Sequence, residues 1–418
     1  MTSKTPEELF EERRQRIEDA VQLKVPDRVP VAPIFCYFYS NYGGITAEDA
    51  HYDYDKWSLA VKKTAIDFQP DLIQNPRHLI LAPGPLLDMV DFKEIRWPGH
   101  GVSPNHSFQY VEDEYMKAEE YDAFLDDPSD YILRTYMPRI YGILEPFRKL
   151  PPVSIMMLGY GTTHLLAALA RPEMTKTLET LVKAGAESLR WRSAMNRLQE
   201  ELVSLGFPLS SDSIALAPFD VIGDHLRGTR GIMLDMYQRP EKLLKAIEKV
   251  LPMELQAGTF AAKRSGNPRV FIPLHKGADS FMSLEQFKTF YWPTLKRLIV
   301  GLINEGLTPW VFFEADYTSR LEIVRDIPAG KAIYHFEHSN IFKAKEILGD
   351  VVCIRGGISN SLLYTGTTEE VKDRCKKLID MVGKGGGFIM DAGAIIDEAK
   401  PENIKAMIDF TKEYGVYR

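Results

Sequence analysis

The sequence predicts a single (β/α)8 barrel. Eight short apolar runs recur along the chain, several of them ending in polar residues, and helical patterns fill the gaps between them in the C-terminal half. Runs that are apolar throughout suit strands covered on both faces, as in a parallel sheet. Strand alternating with helix is the pattern of a parallel α/β fold, and eight such units point to a closed barrel. The chain has 418 residues, 45% hydrophobic and 26% charged, which is an ordinary globular composition. It is long enough to bury a large core without covalent staples.

The first element is a helix. Thr5, Pro6 and Glu8 supply an N-cap, a proline in the first turn and a capping-box acid. The candidate strands are residues 29–35, 71–74, 153–158, 269–275, 309–314, 332–337, 351–357 and 387–391. Helices follow in the C-terminal half over 284–303, 371–381 (opened by a box of Thr367 and Glu370) and 401–414. The N-terminal half is less regular. Excursions over about 76–150 and 160–265 interrupt the single barrel domain of residues 1–418, and residues 92–130, rich in Gly, Pro, His and acids, are placed over the barrel mouth.

A net charge of −7 argues against a nucleic-acid surface. No stretch of about 18 apolar residues exists, so no membrane span is expected. Cys36, Cys353 and Cys375 are too widely spaced for a redox pair or a zinc knuckle. Without an apolar leader near Met1, a reducing cytoplasm is the expected compartment. Neither a phosphate-binding Walker loop nor a serine nucleophile elbow is present.

In a barrel, charged groups at the carboxyl ends of strands are candidates for chemistry. Glu314 ends the fifth candidate strand, His335 and Glu337 share a face of the sixth, Asp391 ends the eighth, and His275 and Lys276 end the fourth, with Asp279 just beyond. The first strand runs into FCYFYSNYGG (35–44), where Phe35, Tyr37, Tyr39 and Tyr42 offer an aromatic wall for an aromatic substrate.

The strings RGGISNSLLYTGTTEEV (355–371), GGGFIMD (385–391) and KPENIKAM (400–407) resemble the uroporphyrinogen decarboxylase superfamily, which includes cobalamin-dependent methyltransferases. The resemblance is specific from about residue 268 onward, looser over 220–250 and weak before 153. True decarboxylases carry arginines after the first strand for the substrate's carboxylates, and residues 35–44 have none. Thiol-activating methyltransferases hold zinc with a His-x-Cys pair and a later Cys; here the corresponding positions read FFEAD (312–316) and MDAG (390–393). Glu314 and His335 instead resemble the zinc pair of ether-cleaving, corrinoid-dependent members.

The resemblance therefore implies a methyltransferase that moves a methyl group from a methoxylated aromatic compound to the Co(I) of a corrinoid protein. Zinc would be held by Glu314, His335 and Glu337, with Glu314, His335, Asp391 and His275 as catalytic residues, and Phe35, Tyr37, Tyr39 and Tyr42 binding substrate. A small aromatic methyl donor and a corrinoid protein are the expected partners, and a homodimer is compatible with the resemblance. Three alternatives stay open: a decarboxylase of a different substrate, a methyltransferase using another methyl donor or acceptor, and a non-catalytic relative that binds corrinoid or tetrapyrrole.

Overall fold

Thr5 caps the first helix, Pro6–Val21, through the expected box: its hydroxyl accepts from the Glu8 N–H and the Glu8 carboxylate accepts from the Thr5 N–H. The computed structural model describes residues 4–80 and 82–417. Six strands form one parallel sheet in chain order: Ser213–Ile214, Arg269–Leu274, Thr308–Phe313, Ile333–Phe336, Cys353–Ile358 and Phe388–Ala392. Two extended segments complete the ring. Residues 29–35 lie beside the last strand, with the Ala32 N–H donating to Met390 O at 3.0 Å and the Met390 N–H to Pro30 O at 2.8 Å. Residues 71–74 come next, the Asp71 N–H donating to Val31 O at 2.8 Å and the Ser210 N–H to Ile73 O at 2.9 Å. The barrel therefore closes with eight segments.

The third of these is residues 209–214, not 153–158 as expected. Val153–Met157 is a short 3-10 turn after two prolines, and Met157 and Leu158 are exposed. An apolar run of five or six residues does not by itself distinguish strand from helical turn. The true third segment is hidden by its polarity. Its buried serines are all satisfied: Ser210 Oγ donates to Gln74 Oε1, Ser211 Oγ to Ser213 O and Ser213 Oγ to Gly258 O. The expected excursion over 160–265 thus contains a barrel strand, flanked by the long helices Pro172–Ser204 and Pro240–Ser265. The excursion over 76–150 builds short helices and a three-stranded sheet of Ile95–Pro98, Gly101–Val102 and Gln109–Tyr110.

The C-terminal helices lie where expected. Thr367 opens Thr368–Leu378 with its box, and the last helix is Pro401–Tyr414. Residues 284–303 coil as Leu284–Gln286, a π-helical turn Phe287–Tyr291, and Trp292–Asn304.

Strand register stacks the interior in layers. Trp310, Ile333, Cys353 and Ile389 pair across neighbouring strands or pack on one another with Ala32, Ile34 and Leu72. Ile17, Ala20 and Val21 of the first helix join this cluster and plug the floor of the barrel. Two residues further along each strand, on the same face, come Phe312, His335, Arg355 and Asp391. Glu314 and Glu337 follow one layer higher, at the mouth. The outward faces pack under the helices in the large surrounding core.

Candidate active site

The middle layer is a buried polar network. Asp391 is fully buried and accepts from Arg355 Nε at 2.7 Å, the Ile34 N–H at 3.2 Å and the Ala392 N–H at 2.6 Å. Arg355 Nη2 also donates to Ala32 O. Burial pushes the Asp391 carboxyl up to about 6, against the pull of Arg355 and the backbone amides. The His335 ring lies against Phe312, with centroids 4.6 Å apart, and its Nε2–H donates to Ala392 O at 2.8 Å. Burial, reinforced by the Arg355 charge, holds this imidazole well below its ordinary pKa, so it is neutral. Its Nδ1 has no hydrogen-bond partner among the described residues.

The mouth is built differently. Leu274 ends its strand and delivers His275 and Lys276 onto Asp220, whose carboxylate accepts from the His275 N–H at 2.9 Å, the Lys276 N–H at 3.1 Å and the Tyr291 hydroxyl at 2.6 Å. One helical turn on, in the π-helical segment Val221–Arg227, Asp224 accepts from His275 Nδ1 at 2.5 Å and pairs with Lys276 Nζ at 3.0 Å. The other ring nitrogen, His275 Nε2, faces Glu314 Oε1 at 3.7 Å. The His275 and Glu314 side chains keep 33% and 37% of their surface, so a substrate can reach both.

Charge follows from this crowding. Burial alone would lower His275, but Asp224, Asp220 and Glu314 outweigh it and raise the imidazole to about 9. Burial pushes Glu314 up to about 7; His275 pulls back, while Glu337, Asp220 and Asp224 push further. Burial and Asp224 together raise Asp220 to about 6. Asp224 is held below its usual range, against burial, by its bonds to His275 and Lys276. The result is an imidazolium beside a carboxyl group that titrates near neutrality.

Backbone strain aims this carboxyl. Ala315, directly after Glu314, sits at φ +67°, the left-handed region that a residue with a Cβ rarely adopts. Glu337 Oε2 holds it there by accepting the Ala315 N–H at 2.5 Å, and the His338 N–H donates to Ala315 O at 3.3 Å. Glu337 is thus a clamp on the turn that presents Glu314.

Of the predicted site residues, Glu314, His275 and Glu337 meet at the mouth. His335 and Asp391 lie one layer beneath, fully buried and within 3.8 Å of each other. The expected zinc set of Glu314, His335 and Glu337 does not fit. His335 is fully buried a layer below the mouth, Glu337 accepts from the Ala315 N–H, and Glu314 faces His275. Among the described residues no three His, Cys, Asp or Glu side chains are grouped to hold a metal ion.

The aromatic wall is mostly packing. Phe35 stacks on Phe38 at 4.9 Å, Tyr39 meets Trp57 edge-on, and both Phe35 and Tyr39 are buried out of reach of any substrate. The Tyr42 hydroxyl donates to Asp67 at 2.8 Å. Tyr37 borders a hollow of about 420 Å³ that also touches Asn41, His106 and Asp397, and its hydroxyl pairs with His51 Nε2 at 2.7 Å. Sequence reasoning missed Asp220 and Asp224. Their spacing of four, which puts both on one helical face, was the available signal.

Comparison with known proteins gives similarities of three kinds. A family profile described as uroporphyrinogen decarboxylase (URO-D) matches residues 166–414. A uroporphyrinogen decarboxylase of Chlorobaculum parvum is 24% identical over 234 residues, covering 53% of this chain and 63% of that protein. One of Chlorobium phaeovibrioides is 30% identical over 141 residues, covering 32% and 39%. The chain thus spans less than two thirds of the length of these curated relatives. A solved methyltransferase from Methanosarcina mazei superposes over 96% of this chain and 98% of its own, with a TM-score of 0.62 and 14% identity. That similarity is one of fold. No described helix is long and apolar enough to cross a membrane.

Proposed function

The chain belongs to the uroporphyrinogen decarboxylase family, and from that premise we propose that it is a methyltransferase that takes the methyl group of a methoxylated aromatic compound. The observation that carries this reading is the Glu314–His275–Asp224 array, a carboxyl group titrating near neutrality at an open, acidic barrel mouth. The same mouth disfavours a tetrapyrrole polycarboxylate. Glu314, Asp224, Glu337 and Asp220 surround His275 and Lys276, where a substrate with many carboxylates needs an excess of cations.

An aryl methyl ether resists cleavage because phenolate is a poor leaving group, and a positioned acid lowers that barrier. Protonated Glu314 donates to the ether oxygen as the bond from oxygen to the methyl carbon breaks; that bond's electron pair stays on oxygen, and the product is a phenol. The Co(I) of a corrinoid protein, the proposed partner, supplies the electron pair that takes the methyl carbon. His275, fixed by Asp224 and carrying its proton, stabilises the Glu314 carboxylate that remains. Lys276, bonded to Asp224 and to Thr229 Oγ1 at 2.9 Å, keeps Asp224 ionised and in place. A carboxyl with a pKa near the working pH is the right strength for this donor.

The test is anaerobic methylation of cob(I)alamin by ortho-methoxyphenol, followed by the loss of cob(I)alamin absorbance. Methylation by the wild type, with Glu314→Gln slower by roughly 10²–10⁴-fold, supports the assignment. No methylation, or an undiminished rate in Glu314→Gln, sinks it. The family relatives favour one second reading, decarboxylation of a smaller acid, in which Glu314 would protonate the new carbanion. Carbon dioxide release without cobalamin methylation would establish it.

A further inference from the structure

The first excursion, with Leu181 and His225 from later helices, lines a hollow of about 440 Å³ that none of the chemistry above uses. Its walls are apolar, with Leu86, Phe92, Met137 and Tyr141 among them, and its charged lining among the described residues is one acid and one imidazole, Glu94 and His225. The two face each other at 3.7 Å, and Glu94 Oε1 accepts from the Tyr136 hydroxyl at 2.8 Å. Glu94 itself is 8% exposed. An apolar hollow of this size with a few convergent polar groups is the usual form of a small-molecule site.

The hollow adjoins the active-site mouth. His225 follows Asp224, whose carboxylate bonds His275. Tyr110, another lining residue, lies within electrostatic reach of Asp224, Glu94 and Glu314.

We propose that this hollow is the binding site for the methyl donor's ring, and that it selects an uncharged, hydroxyl-bearing methoxyaromatic over a carboxylated one. The assignment of substrate class rests on the methyl-transfer reading; the binding site itself does not. The apolar walls accept a ring that loses little by leaving water. A phenolic hydroxyl can donate to Glu94, whose charge His225 balances. A carboxylate would meet Glu94 with no arginine or lysine in the lining to compensate, and an unpaired buried charge is costly.

The experiment is isothermal titration calorimetry of the full chain with ortho-methoxyphenol and with ortho-methoxybenzoate, without cobalamin. The expected result is one saturable site that prefers the phenol by at least about tenfold, the effect of 1.4 kcal/mol. Leu86→Trp and Met137→Trp, which fill the hollow from two sides, should each weaken phenol binding by at least about tenfold while circular dichroism stays unchanged. A preference for the benzoate overturns the selectivity and needs no variant to be seen. Phenol binding that is absent, or untouched in both folded variants, overturns the site. Wild-type binding without cobalamin methylation would leave the hollow standing and remove the methyl-transfer reading; methylation with unaltered binding in the variants would do the reverse.

Discussion

Asp391→Ala tests whether the eighth-strand acid is a reacting group or the keystone of the barrel interior. The substitution removes the carboxylate that accepts from Arg355 Nε at 2.7 Å and from the backbone amides of Ile34 and Ala392. Arg355 is 1% exposed, so its charge is left without a counter-ion in a place water barely reaches. Breaking a buried pair from one side costs about 3–5 kcal/mol. Two features keep the cost within that range. Arg355 still donates to Ala32 O, and its guanidinium lies 4.2 Å over the Trp310 ring, a contact worth about 2 kcal/mol when desolvated. Arg355→Met should cost less, because a lone buried carboxyl can take up a proton. The double variant should be more stable than the sum of the singles predicts, by roughly 1–3 kcal/mol. Urea titration read by both tryptophan emission and far-ultraviolet dichroism measures this, coincidence of the two curves establishing a single transition. A loss below about 1 kcal/mol in Asp391→Ala, or strict additivity, would refute the structural role.

Three further outcomes follow from the mouth. Glu314 acts protonated and is pushed up from 4.5 to about 7, so methyl transfer should fall about tenfold per pH unit above neutrality, and Glu314→Gln should abolish that limb of the profile. Asp224→Asn removes the acceptor of His275 Nδ1; the imidazole, now raised to about 9, should titrate lower by roughly 1–3 pH units, read from its ring-proton chemical shift, and an unmoved titration would show that Asp224 does not set the charge. Ala315→Gly relieves the left-handed residue and should raise stability by roughly 0.5–1 kcal/mol in urea titration while slowing turnover, because a glycine turn presents Glu314 less firmly; a destabilised variant would contradict the strain.

The C-terminal half was legible because its strands are apolar on both faces and its helices announce their starts. Thr367 and Glu370 capped where the text placed them, and Pro401 opened the last helix. The third strand was not legible. Ser210, Ser211 and Ser213 are buried by virtue of bonds to Gln74, Ser213 and Gly258, partners far apart in sequence or invisible to a hydrophobic pattern. The site divides in the same way. Position at a strand end identified Glu314 and His275, but it does not distinguish a side chain turned up to the mouth from one a layer below, so His335 and Asp391 were grouped with them. Asp220 and Asp224 lie in an irregular connection whose folding back onto His275 only tertiary structure reveals. The aromatic residues after the first strand are claimed by packing: Tyr39 meets Trp57 and Phe35 stacks on Phe38.

The seam between residues 29–35 and Phe388–Ala392 carries a consequence for how the chain reaches this state. The Ile34 amide and the Asp391 carboxylate it binds are 357 positions apart. During ribosomal synthesis the early edge therefore waits, unpaired, for nearly the whole chain to emerge. The ring is zipped late, and loop closure of this span is slow compared with local helix formation. Until then the exposed edge invites pairing with other chains. Conditions that stall elongation before Phe388 should yield aggregation rather than a smaller folded barrel.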